Sequence, residues 1–262
     1  MNEIIIATAV LSGMGLVFGV SLAYASKVFA VVEDERVMKV RALLPGANCG
    51  ACGYAGCDGL AAALVAGTAN LRDCPVGGED VAEKIALVLG MQVDKSERRV
   101  ARVLCAGTNE VSREKFTYSG IADCFAAAQI FAGFKSCSYG CLGYGNCQRA
   151  CPFGAIIIRK RVALIDEAKC KSCGICIETC PKALIEMVPV AKRYLVLCKS
   201  KDKGGVTKKN CGVGCIGCTR CVKECPVGAI SMVGTLAKIN PAMCTNCGKC
   251  VEVCPTHAIV KM

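Results

Sequence analysis

Cys215-Ile216-Gly217-Cys218-Thr219-Arg220-Cys221-Val222-Lys223-Glu224-Cys225-Pro226 is the stretch that decides the fold. Its spacing, C-x2-C-x2-C-x3-C-P, places thiolates to hold 4Fe–4S clusters. The same run returns at Cys244, Cys247, Cys250 and Cys254-Pro255, and at Cys170, Cys173, Cys176 and Cys180-Pro181. Nine cysteines from Cys124 to Cys180 land on nine from Cys198 to Cys254 at one offset of 74 residues. Gly154-Ala155-Ile156 lands on Gly228-Ala229-Ile230 at the same offset. A repeat of this kind is read before anything else. It predicts two tandem units, about 115–188 and 189–262, each made of short strand, cysteine loop, short helix and strand.

The 262 residues leave room for two or three small domains, and 24 of them are cysteine. Disulfides suit secreted chains in oxidising compartments, and triplets such as Cys244, Cys247 and Cys250 lie too close to pair with one another. Structural zinc prefers two C-x2-C knuckles, a different signature from triplets closed by Cys-Pro. Iron–sulfur clusters are therefore expected, and with them a reducing compartment. The formal charge of +11 does not point to nucleic acid. Each oxidised cluster with its four thiolates carries about −2, which inverts the local charge logic. Trp is absent and Phe and Tyr are few, so no base-stacking set exists.

Residues Ile4 to Ser26 hold no charge, and 23 residues of helix span roughly 34 Å, enough for a bilayer core. Ala23-Tyr24-Ala25 resembles a cleavage site, but the chain opens Met1-Asn2-Glu3 without the basic start of a signal peptide. The expected fold is α+β: a single transmembrane helix (1–26), a small helical 4Fe–4S domain (27–94), and two two-cluster modules (95–188 and 189–262). Asp58 is expected to cap a helix running to Ala66, a second helix is expected over Glu79 to Leu89, and Asp94 to Arg102 reads as a charged linker.

Four ligand sets follow with little ambiguity. Cys49, Cys52, Cys57 and Cys74 combine a Gly-rich loop with one remote thiolate; zinc is the alternative there. In two-cluster units the fourth cysteine of each run serves the other cluster. This gives Cys215, Cys218, Cys221 and Cys254; Cys244, Cys247, Cys250 and Cys225; and Cys170, Cys173, Cys176 and Cys151. The fifth set is irregular, because Tyr144 stands where Cys218 stands in the second unit. Cys137 is the expected replacement, giving Cys137, Cys141, Cys147 and Cys180. Cys105, Cys124, Cys198 and Cys211 remain as free buried thiols by default, although 24 cysteines are also enough for a sixth cluster. Five clusters are expected.

Gly212-Val213-Gly214-Cys215-Ile216-Gly217 matches G-x-G-x-x-G, but it lies inside a cysteine loop with no long strand before it and no room for a phosphate-binding helix. His257, the only histidine, reads as exposed loop. No acid–base pair or activated nucleophile is evident, so this polypeptide is expected to move electrons rather than break bonds.

The order of membrane anchor, Leu44-Pro45-Gly46-Ala47-Asn48-Cys49-Gly50-Ala51-Cys52-Gly53-Tyr54-Ala55-Gly56-Cys57 and cysteine-rich modules closely resembles the B subunits of Rnf complexes, membrane-bound ferredoxin:NAD oxidoreductases that translocate sodium ions or protons. Cys137-Ser138-Tyr139-Gly140-Cys141-Leu142-Gly143 onward resembles the long form of that family, with two ferredoxin-like modules. The resemblance implies an electron-transfer subunit that accepts electrons from soluble ferredoxin and passes them to membrane subunits. It places NAD, FMN and the ion path on those other subunits. The reducing compartment that clusters need, with Lys27 and the mixed-charge segment after it, gives the expected location: the cytoplasmic (inner) membrane, with the clusters on the cytoplasmic side. A membrane-tethered polyferredoxin serving another oxidoreductase or a redox-sensor reductase is the alternative.

Overall fold

The computed structural model describes residues 2–29, 34–92 and 97–262 as short helices and four two-stranded antiparallel pairs. Helix α1 (Asn2–Val28) is largely apolar, and from Thr8 onward it is exposed apart from half-buried Ala25. Its segment Thr8–Val28 has a mean hydropathy of 1.6 and is, among the described residues, the one helix long and apolar enough to cross a membrane.

Three helices form the next unit: α2 (Glu35–Leu43), α3 (Gly56–Val65) and α4 (Gly78–Leu89). Helix α2 lies in what reads as a charged stretch. Asp34 caps it by accepting the Arg36 N–H, and Val40 and Leu44 turn inward onto Leu60, Leu64 and Ile85. Burying side chains of this size contributes about 1.5–3 kcal/mol each. Asp58 does not cap α3, which begins two residues earlier behind Ala55. Its carboxylate instead accepts from Arg41 Nε at 2.5 Å, tying α3 to α2. Helix α4 ends on Gly90 at φ +68, a left-handed stop that suits glycine.

The expected linker gives way to strand β1 (Arg99–Val103), which pairs with β4 (Ile185–Pro189). Val100 and Ala101 are buried against Ile156 and Ile185, and buried Arg102 is ion-paired with Glu167. The expected boundary between Asp94 and Lys95 lies outside the described residues. Between β1 and β4 come α5 (Cys124–Gln129), α6 (Asn146–Arg149), the hairpin β2 (Ile156–Arg159) and β3 (Val162–Ile165), and α7 (Ile175–Glu178). The pattern then repeats. Strand β5 (Tyr194–Val196) pairs with β8 (Ile259–Lys261), enclosing α8 (Gly204–Asn210), α9 (Arg220–Glu224), the hairpin β6 (Ile230–Val233) and β7 (Leu236–Ile239), and α10 (Lys249–Glu252). Outer strands pair and an inner hairpin fills the middle, twice over.

The backbone corrects the single offset of 74. Leu104 N–H donates to Leu184 O at 2.7 Å, and Leu197 N–H donates to Ala258 O at 2.8 Å. Leu184 and Ala258 are 74 residues apart, but Leu104 and Leu197 are 93 apart. The first unit therefore carries 19 extra residues between Val103-Leu104-Cys105 and Cys137. Cys105, not Cys124, is the counterpart of Cys198.

Candidate metal centres

Each cysteine run is a loop entering a short helix, and two of the loops, at Gly143 and Gly217, are pressed against a hairpin turn. A Cβ on Gly143 would lie 2.6 Å from Arg161 Cα and O, and one on Gly217 would lie 2.7 Å from Thr235 O. Both glycines also have φ near +70, so only glycine lets the loop sit this close.

Five depressions of about 330 to 370 Å³ are each lined by four cysteines. Cys151, Cys170, Cys173 and Cys176 line one, Cys215, Cys218, Cys221 and Cys254 a second, and Cys225, Cys244, Cys247 and Cys250 a third. In all three the residue before the proline reaches across to the partner run. In the helical unit, Cys57 is buried with Cys52 and Cys74 packed beside it. Asn48, next to Cys49, accepts the Cys57 N–H at 2.9 Å and so folds the loop onto α3.

The irregular set differs from expectation. The fourth depression gathers Cys141, Cys147 and Cys180 with Cys124, and Cys137 is elsewhere. The insertion brings Cys124 to this depression in its place. Asp123 caps α5 by accepting the Phe125 and Ala126 N–H groups. Asn146, at the start of α6, accepts the Cys124 N–H at 2.9 Å and donates to Asp123. Backbone bonds from Ala126, then the Asn146 amide, hold the Asp123 carboxyl below the usual range. Tyr144, at the position of Cys218, packs its ring on Tyr118 and Phe134 at 5.6 and 5.8 Å, with the Arg161 guanidinium over it at 5.2 Å.

Cys137 lines the fifth depression with Cys105, Cys198 and Cys211, three of the four cysteines expected to be free. The grouping spans the two units. Gly212 N–H donates to Val111 O and Arg113 N–H to Asn210 O, which draws Cys211 onto the first unit. Cys141 N–H donates to Cys105 Sγ at 3.4 Å, and the pKa of the Cys198 thiol, raised by burial, is lowered in part by the Cys215 backbone. Buried Lys135 stands beside this site and its neighbour, donating to Gly107 O at 2.6 Å and Arg161 O at 3.2 Å. Its pKa is lowered by burial, against the opposing pull of Cys105, Cys141, Cys211 and Cys137.

The donor sets fit clusters better than single ions. Among the described residues no three Cys, His, Asp or Glu side chains converge closely enough for one metal ion. A zinc ion draws its thiolates to about 2.3 Å from one point, whereas a cube carries iron at separate corners and its thiolates stay apart. Burial first, then neighbouring thiolates, pushes Cys147 and Cys176 up to about 12 and Cys141, Cys221 and Cys250 up to about 11. Binding iron must therefore displace protons.

An Fe-S cluster family model matches residues 44–76, a 4Fe-4S binding domain matches 163–186, and a 4Fe-4S dicluster domain matches 214–258. The B subunit of the Na(+)-translocating ferredoxin:NAD(+) oxidoreductase complex of Acetobacterium woodii is 45% identical over 93% of this chain and 74% of its own length. The B subunit of the ion-translocating oxidoreductase complex of Methanosarcina acetivorans is 43% identical over 93% of both chains. The B subunit of the proton-translocating ferredoxin:NAD(+) oxidoreductase complex of Clostridium ljungdahlii is 41% identical over 93% of this chain and 87% of that one. The chain belongs to the Rnf B-subunit family.

The matched ranges hold the N-terminal quartet, the run from Cys170 to Cys180 and the two runs from Cys215 to Cys254. They leave Cys105, Cys124, Cys137, Cys141, Cys147, Cys151, Cys198 and Cys211 uncovered. A signal for part of this is present in the sequence, since Val103-Leu104-Cys105 matches Val196-Leu197-Cys198. As in the expectation, His257 is exposed.

Proposed function

We propose that this Rnf B-subunit is the iron–sulfur relay of an ion-translocating ferredoxin:NAD oxidoreductase. It accepts electrons from reduced ferredoxin and passes them to membrane subunits, with sodium ions or protons moved elsewhere in the assembly. Residues 1–26 are read as a single-pass anchor in the cytoplasmic membrane, with the metal centres on the cytoplasmic side. Residues 27–94, 95–188 and 189–262 are read as the helical cluster domain and two tandem ferredoxin-like modules.

The observation that carries the reading is the continuity of the quartets. Cys49 is among the charges acting on Cys173, and Cys176 is among those acting on Cys147. Cys141 bonds Cys105, Cys215 is among the charges acting on Cys198, and Cys221 acts on Cys250. Six quartets thus form one line, in which Cys105, Cys137, Cys198 and Cys211 join the two modules. Six clusters, rather than the five expected, is the count this arrangement supports. When bound, the clusters supply one-electron chemistry; the chain's thiols hold them in order and its hairpins shield them from water.

The test is to purify the intact membrane assembly, identify its subunits, and measure ferredoxin:NAD activity with and without sodium. A chain found in an assembly lacking that activity would overturn the reading.

A further inference from the structure

Charge is distributed unevenly along the line of quartets. Residues 34–92, at one end, carry five Lys and Arg against seven Asp and Glu, a net −2. Residues 189–262, at the other, carry twelve Lys and Arg against three Asp and Glu, a net +9. Two four-thiolate clusters would remove about four of those positive charges and leave the unit basic. Among the described residues the two exposed cysteines, Cys218 and Cys247, are both in this unit.

Cys247 belongs to the terminal quartet. Val227, 39% exposed, lines the same depression, and Met243, 49% exposed, precedes Cys244. Arg193 joins this loop through its backbone N–H, which donates to Asn246 Oδ1 at 3.1 Å, and Lys249 opens α10. Both side chains are exposed and neither forms an ion pair among the described residues. An apolar centre with a charged rim is the anatomy of a transient protein interface.

We propose that the surface around Cys247, with Val227 and Met243 at its centre and Arg193 and Lys249 on its rim, is the docking face for a small acidic iron–sulfur carrier protein. This rests on the reading of the chain as an acceptor of electrons from a soluble carrier. In each encounter one electron leaves the carrier's reduced centre, which is oxidised, and reduces the oxidised cluster held by Cys225, Cys244, Cys247 and Cys250. No bond forms and no proton moves. The positive rim steers the carrier and the exposed ligand shortens the path.

The experiment uses the full-length, cluster-loaded chain in detergent and a reduced, acidic 4Fe–4S ferredoxin as probe. Stopped-flow absorbance gives the second-order rate of reduction, and calorimetry with the oxidised probe gives the affinity, each at low and high salt. Arg193→Glu with Lys249→Glu should lower rate and affinity at low salt by about tenfold or more and flatten the salt dependence. Iron content and photoreduction by a small flavin should stay as in wild type. The Arg193→Gln and Lys249→Gln pair should give a smaller loss of the same kind, and carries the test if the Glu pair loads poorly. Lys201→Glu with Lys203→Glu, on the Cys218 side, should cost less than either. Wild-type rate and affinity in the Arg193 and Lys249 variants, or a larger loss from the Lys201 and Lys203 pair, would overturn the docking face and leave the acceptor reading standing. A wild-type chain that the probe neither binds nor reduces would overturn both.

Discussion

On the proposed ligand sets, Cys124 replaces the thiolate that Tyr144 does not supply. A phenol in place of Cys218's counterpart cannot supply a thiolate, and the ring has become the floor of an aromatic cluster with Tyr118, Phe134 and Arg161. Spacing points to Cys137 because it is the nearest cysteine in the chain. Reach across an insertion cannot be seen in spacing, which is why Cys124 escapes it. Cys124→Ser should remove the spectroscopic signal of the centre held with Cys141, Cys147 and Cys180, while Cys137→Ser should remove that of the centre between the modules. Either change should cost about four irons from a total of about twenty-four; equal damage to the same centre from both would refute the assignment. The thiols also set a pH dependence. In the iron-free chain Cys147, Cys176, Cys141, Cys221 and Cys250 titrate at about 11 to 12, above the ordinary thiol value of 9.0. The folded form thus binds more protons than the unfolded form above pH 9, and its stability falls as pH rises from there toward 12. Denaturation of the iron-free chain followed by circular dichroism should show midpoints dropping over that window. The cluster-loaded chain, its thiols already deprotonated, should lack this drop.

At the scale of elements, the insertion before Cys137 is what positions Cys124. Asp123 and Asn146 lock the start of α5 to the start of α6, and Lys182 Nζ donates to Ala132 O and Ser138 O at 2.6 and 2.8 Å, pinning the far end. Asn146→Ala should therefore leave iron content near normal under anaerobic conditions but make one centre labile. Exposure to air, followed by iron analysis and electron paramagnetic resonance, should show loss of the Cys124 centre before any other. Uniform loss across all centres would argue against a local lock. The regular runs are legible in the sequence because ligand spacing is a local property. Strand β1 and helix α2 are not. Each has charged residues at about half its positions, and what organises them is a tertiary partner: β4 for the first, α3 and α4 for the second. The offset of 74, counted on cysteines alone, passes through the insertion unnoticed because Cys124 happens to fall opposite Cys198.

At the scale of the whole molecule, the proposed reading has each module alone provide two complete quartets and half of another. Cys105 and Cys137 come from the first, Cys198 and Cys211 from the second, and the shared site exists only when the modules are docked through Val111–Arg113 and Asn210–Gly212. On that reading, ligation at this site would couple the assembly of the modules to the continuity of the relay. Replacing Cys198 and Cys211 together by Ser should remove one centre and leave the Cys215 and Cys225 quartets loaded, because neither residue lines those depressions. Reduced ferredoxin should then still reduce the terminal centres at the wild-type rate. Reduction of the centres nearer the N-terminus should slow sharply, since electrons must cross the gap left between Cys215 and Cys141. Freeze-quenched spectra taken over time would separate the two groups, with a fast phase of unchanged amplitude for the terminal pair and a delayed phase for the rest. If all remaining centres were reduced together at the wild-type rate, the shared site would be a structural bridge outside the electron path, and the linear order of six would have to be abandoned.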